Sequence, residues 1–197
     1  LSHSTQVIEN RYNAKGERIF SLRTVNPGPA EIYRVEFFTY SDDGKLMTYV
    51  DARLSSAMVL KSRIDYNYIW LEDIPVAQFR EMYSWAGTYI TADSQLVYLH
   101  ADHLNTARIG TGDSNPPAPA PAVDDAIIWE LNSNTYGYAW ETQDPDGDAV
   151  DVKMALRFPG QIYYGIGGLN YNYFRTYDTV AGRCLESDPI GLEGGQN

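Results

Sequence analysis

Apolar and polar residues alternate along most of the chain. In EIYRVEFFTY (31–40), Tyr33, Val35 and Phe37 fall on one face, with Arg34 and Glu36 among their opposites. SRIDYNYIW (62–70) alternates more cleanly, with Ile64, Tyr66, Tyr68 and Trp70 facing away from Arg63, Asp65 and Asn67. SQLVYLHADH (94–103) and KMALRF (153–158) are further strand candidates. Successive side chains leave a strand on opposite sides, so a period of two predicts half-buried antiparallel strands. Helical patterning is confined to ARLSSAMVLKS (52–62) and VAQFREMYSWA (76–86). The second also continues a strand pattern after Trp70 and is read as β.

Turn signals separate the strands: NAKG (13–16), NPGP (26–29), SDDG (41–44), DPDGD (144–148) and GIGG (165–168). Gly supplies positive φ, Asp and Asn bond back to their own turns, and Pro presets the entry. Two of these turns recur in one register, as Tyr12-Asn-Ala-Lys-Gly16-Glu-Arg18 and Tyr40-Ser-Asp-Asp-Gly44-Lys-Leu46. Near the C-terminus, Tyr163-Tyr164…Gly168-Leu169 and Tyr177-Asp178…Gly182-Arg183 are offset by 14 residues. Such units cannot bury a face alone and are expected to stack into an extended or spiralling sheet. The pattern changes at DSNPPAPAPAVDDA (113–126), where alternating Pro and Ala can form neither ladder nor helix. It is read as an extended surface loop between 1–112 and 127–197, because strand-like sequence resumes at AIIWEL.

Composition narrows the function classes. Sixteen Tyr against six Phe suit broad sheets with a wet face. A net charge of −11 opposes non-specific attraction to nucleic acid or anionic membrane. No apolar run approaches the roughly 20 residues of a membrane helix. Cys184 is the single cysteine, so an internal disulfide and a multi-thiolate zinc site are both excluded. It is expected as a small buried apolar residue. The opening LSHSTQVIENRYN, without Met, reads as the middle of a longer protein.

YLHADHLNTARIGTG (98–112), IIWELNSNTYGYA (127–139) and RFPGQIYYGIGGLNYNYFRTYDTVAGRCLESDPIGLEGG (157–195) carry a family resemblance. They resemble the core-associated segment of Rhs (rearrangement hotspot) proteins, and the Tyr–Gly units look like that family's tyrosine-aspartate (YD) repeats. The resemblance implies an all-β fold of antiparallel strand-turn repeats, forming part of a spiralling β-sheet shell. It implies a C-terminal toxin domain in the same polypeptide, held inside that shell, with secretion-machinery or chaperone proteins as further partners. A secreted or cell-surface bacterial location follows from it in the same way. It also implies an aspartic-protease-like self-cleavage site built from two DPxGL copies. Asp188-Pro189-Ile190-Gly191-Leu192 matches the first, and the second is expected beyond Asn197. One departure is Tyr164, where the family usually has Asp, with Ile166 and Gly167 in place of its Glu-Thr.

Carboxylate-catalysed peptide hydrolysis needs two carboxylates, one protonated while the other activates water. Asp188 is the catalytic candidate, and Asp178 is the nearest internal partner, although it reads equally as the turn residue of its repeat. HxDH at 100–103 suggests metal, but His100 and Asp102 share a strand face while His103 points away, so a structural role is expected. Asp144, Asp146 and Asp148 occupy the first, third and fifth positions of a calcium-loop pattern. The Gly comes early and Ala155 stands where a bidentate Glu belongs, so a solvated turn with no calcium response is expected. No cofactor and no metal are expected, nor independent activity on a small substrate, since no nucleophile-elbow, P-loop or dinucleotide pattern occurs. A different class remains open: a surface adhesin or carbohydrate-binding repeat module whose Tyr and Trp faces stack on sugars.

Overall fold

The structure, a computed structural model, describes residues 8–26, 32–83, 89–114, 123–163 and 168–191. Ten strands follow one another in a single antiparallel order: β1 (Ile8–Tyr12), β2 (Arg18–Asn26), β3 (Ile32–Tyr40), β4 (Leu46–Ser55), β5 (Leu60–Leu71), β6 (Ile74–Tyr83), β7 (Tyr89–Ala101), β8 (Ala107–Ser114), β9 (Val123–Ser133) and β10 (Ala139–Thr142). A second sheet holds β11 (Ile162–Tyr163), β12 (Leu169–Asn172), β13 (Arg175–Asp178) and β14 (Arg183–Cys184), again in sequence order. The all-β expectation is therefore met. The chain clusters into two compact units, residues 1–69 with 77–97, and residues 70–76 with 98–197.

One turn design recurs. In each of 13–17, 41–45, 55–59, 102–106 and 134–138, the first residue's N–H donates to the fifth residue's C=O. The fourth residue's N–H returns to the first residue's C=O, over distances of 2.8–3.0 Å. That fourth position has positive φ at Gly16, Gly44, Met58, Asn105 and Gly137. A left-handed residue at this place lets three-residue loops match the twist of the strands they join. The first residue caps the turn: Asn13, Asp102 and Asn134 each accept two backbone N–H groups on Oδ1. Gly137 has a second constraint, because a Cβ there would sit 2.7 Å from the Phe158 ring.

In β3 the expected alternation holds only in part: Phe37, read as sharing the apolar face of Val35, is 45% exposed, whereas Phe38 on the opposite face is buried beside Tyr49, and that face is not solvated. Val35 and its neighbour Glu36 are both buried. Glu36 survives burial because neighbouring strands supply partners. Tyr49 donates its hydroxyl to Glu36 Oε1 at 2.7 Å, while Arg34 and Arg23 approach that oxygen at 3.3 and 3.7 Å. Arg34 also donates to Asp51 Oδ1 at 2.8 Å and to the Tyr49 hydroxyl at 2.7 Å. Burial works against the Arg34 charge, but Tyr49, Asp51 and Glu36 outweigh it and raise its pKa. Beside this network Phe38, Tyr49 and Tyr66 stack across β3, β4 and β5, with centroids 5.4 and 5.5 Å apart. In β5, Tyr66 and Tyr68 are buried as the alternation predicts.

Two elements differ from expectation. The helix candidate 52–62 is instead the end of β4, a turn and the start of β5. The Ser55 hydroxyl accepts from Val59 N, and Met58 adopts φ 57°, so the chain reverses where a helix would continue. KMALRF is buried from Met154 to Arg157 but forms only an isolated bridge, Leu156 to Ile162. Its backbone is satisfied piecemeal: Arg157 Nη1 donates to the carbonyls of Met154 and Leu156, and Tyr163 N donates to Ala155 O. The 76–86 segment is strand through Tyr83, as read. Strands β8 and β9 extend into both ends of 113–126, and residues 115–122 lie outside the described residues. So do most of the NPGP turn, Trp85, Tyr164 to Gly167, and everything after Gly191.

Candidate functional site

The small sheet places Asp188. Strand β13 pairs with β12 from Asn172↔Arg175 to Leu169↔Asp178, and with β14 through Tyr177↔Cys184 and Asp178↔Arg183. After β14 the chain runs back along β13. Leu185 N donates to Thr176 O at 2.8 Å, and the Glu186 carboxylate accepts from Thr176 N at 2.6 Å and from its hydroxyl at 3.0 Å. This path delivers Asp188 to the start of β13. Its Oδ2 lies 3.0 Å from Arg175 Nη1, and its Oδ1 accepts from Ile190 N at 3.1 Å. Gly191 N closes the Asp-Pro turn onto Asp188 O at 2.8 Å.

Asp178 stands at the other end of the same strand. Three residue steps along the strand separate Arg175 from Asp178, roughly 10 Å at 3.3–3.4 Å per step, and the two project to opposite faces. Asp178 Oδ1 accepts from Val180 N and Ala181 N, so its carboxylate caps the following turn. No hydrogen bond or shared cation joins Asp178 to Asp188 among the described residues. Asp188 is therefore oriented by one guanidinium and one backbone amide, with about three-quarters of its side chain shielded. One oriented carboxylate can hold or accept a proton, but hydrolysis by a carboxylate pair needs a second one. Cys184, expected to be buried, is a half-buried free thiol in β14.

The HxDH run does not converge either. His100 Nε2 pairs with Thr111 Oγ1 at 3.0 Å, Asp102 caps its turn and bonds Arg108 Nε at 2.8 Å, and His103 is exposed. A cavity of about 480 Å³ is lined by Tyr138, Glu141, Arg157, Tyr163 and Asn170, among others. Its charges are structural. Glu141 accepts from the buried Trp129 indole at 2.8 Å and lies 3.3 Å from Arg157, whose guanidinium covers the Tyr163 ring at 4.5 Å. Sequence reasoning missed Arg175 as the partner of Asp188. The available signal was the basic residue opening YNYFRTYD, in the strand before the final Asp-Pro turn.

Comparison with known proteins places this geometry in a family. Over 136 residues, 66% of this chain, it is 31% identical to the Double-stranded DNA deaminase toxin A of Burkholderia cenocepacia. Over 110 residues, 53% of the chain, it is 27% identical to the toxin protein Tse5 of Pseudomonas aeruginosa. It covers only 9% and 7% of those two proteins. The crystal structure of TcdB2-TccC3 without its hypervariable C-terminal region superposes over 97% of this chain and 8% of that one, with a TM-score of 0.69 at 18% identity. This chain is an Rhs-associated segment. No protein-family model matches it. The fold is that of the Rhs shell, and these two relatives are Rhs-type toxins many times longer than the chain.

Proposed function

We propose that this Rhs segment helps to build and close a β-shell around a C-terminal toxin carried by the same polypeptide. In this reading residues 1–112 supply repeat-type sheet, 113–126 a surface connection, and 127–197 the core-associated segment. Asp188 supplies one carboxylate of a self-cleavage site, and the second comes from a further DPxGL copy downstream. The toxin domain is the principal partner, secretion-machinery or chaperone proteins are transient ones, and the location is secreted or cell-surface.

The observation that carries the reading is the hold on Asp188. An Asp-Pro turn fixes its backbone, and Arg175, itself placed by β13, fixes its carboxylate. A group meant for proton transfer gains from such orientation, because catalysis depends on geometry within fractions of an ångström. Shell-like fold and toxin relatives supply the context. Expressed with its native downstream sequence, the protein should split after the next DPxGL. Asp188→Asn should abolish the split, whereas Asp178→Asn, which alters a turn cap, should leave it at most slowed. Intact full-length protein after days would overturn the protease reading, as would unimpaired splitting of the Asp188→Asn variant.

A further inference from the structure

We propose that Asp144, Asp146 and Asp148 form a calcium site. Spacing alone argued for a solvated turn, and the structure changes that balance through Asp146. Both oxygens of its carboxylate are closed off from solvent, and neither has a hydrogen-bond partner. A carboxylate shielded from water and left unpaired is destabilising, so it calls for a cation. Two further carboxylates surround it. Asp144, Asp146 and Asp148 each offer one oxygen, and these three oxygens lie within 4.8 Å of one another.

That distance has a direct meaning. Two ligands on a common ion can be at most twice the metal–oxygen length apart. For calcium at 2.3–2.6 Å this limit is roughly 4.6–5.2 Å, so the three oxygens are close enough to share one ion; magnesium, which dehydrates reluctantly and demands near-ideal octahedral geometry, suits such a loop less. All three donors are oxygens, which disfavours zinc. The loop is already built around its acids. Asp144 accepts from Asp148 N at 3.0 Å and from Ala149 N at 3.2 Å, and Asp148 Oδ1 accepts from Val150 N at 2.8 Å. Its left-handed residues Gly147 and Ala149, at φ 73° and 66°, fold the short segment tightly enough to bring the acids together. The remaining ligands of a calcium ion would be backbone carbonyls and water, since no Glu follows at the usual place.

The test uses the 197-residue chain, freed of metal with a chelator and then titrated with calcium chloride. Calcium at one hundred times its dissociation constant should raise the thermal midpoint by roughly 5–10 °C. Equal magnesium should produce a clearly smaller shift. Asp146→Asn should remove the calcium shift and, without metal, should melt higher than the wild type, because it relieves an unpaired buried charge. Asp124→Asn, an equal change of net charge at an exposed position, should keep the calcium shift. Three results would each overturn the site: no calcium shift in the wild type, an equal shift with magnesium, or a shift that persists in Asp146→Asn. The last two would mark diffuse screening of the −11 chain.

Discussion

Asp102 illustrates how a single turn carboxylate serves two elements. Its Oδ1 accepts from Leu104 N and Thr106 N, at 2.9 and 3.0 Å, and its Oδ2 from Arg108 Nε at 2.8 Å. Burial by itself would raise the Asp102 pKa. The bond from Arg108 and the two backbone amides outweigh burial and hold it below the ordinary carboxylate value. The folded state therefore releases this proton more readily than the unfolded state, whose Asp pKa is about 3.9. The stability Asp102 contributes is fully present above that unfolded value and is lost as pH falls through the folded one. Asp102→Asn keeps an acceptor on the turn but loses the charge opposite Arg108. The variant should be less stable than wild type at neutral pH, and the gap should close below about pH 4. Urea midpoints measured across that range test it, and a gap of constant size would show that the charge is not the cause.

At the scale of elements, the repeated turn was only partly legible. The copies at Gly16 and Gly44 stood out because Gly marks the left-handed position. The copies at Ser55–Val59 and Asp102–Thr106 were hidden because Met58 and Asn105 occupy it. Propensity then misled: with Met58 in place of Gly, residues 52–62 looked helical. KMALRF was misread for a different reason, since period two reports side-chain burial but not whether a partner strand exists. The hidden copy gives a prediction. A non-Gly residue in the left-handed region is strained by about 1–2 kcal/mol, and Gly carries an entropic penalty of about 0.5–1 kcal/mol. Met58 is 56% exposed, so its side chain contributes little packing. Met58→Gly should therefore stabilise the chain by up to about 1 kcal/mol in urea unfolding, and a loss of stability would mean that Met58 packs on something that its exposure does not show. Likewise the turn at Asp188 was readable from its motif, whereas its ion pair with Arg175 depended on a path that no local pattern encodes.

At the scale of the molecule, charge separates what this segment does from what its relatives are named for. One relative is a toxin described as a deaminase of double-stranded DNA, but this chain spans 9% of it. Attraction to duplex DNA comes chiefly from Lys and Arg that neutralise phosphates and release counterions. Here 26 acidic residues face 15 basic ones. Several of those bases are already engaged: Arg34 with Asp51, Arg63 with Asp65, Arg108 with Asp102, Arg157 with Glu141 and Arg175 with Asp188. A phosphate would have to displace a carboxylate from each of these while meeting net repulsion. Such repulsion agrees with the role proposed above, in which any DNA chemistry would belong to the toxin domain of the proposal and not to this segment. The isolated chain should show no saturable binding to a labelled DNA duplex by fluorescence anisotropy at about 0.15 M salt, up to protein concentrations of roughly 10⁻⁴ M. Lowering the salt should not rescue binding, because screening weakens repulsion as well as attraction. Micromolar binding that strengthens as salt is removed would instead reveal a basic surface that the net charge conceals, and would assign this segment a direct part in handling DNA.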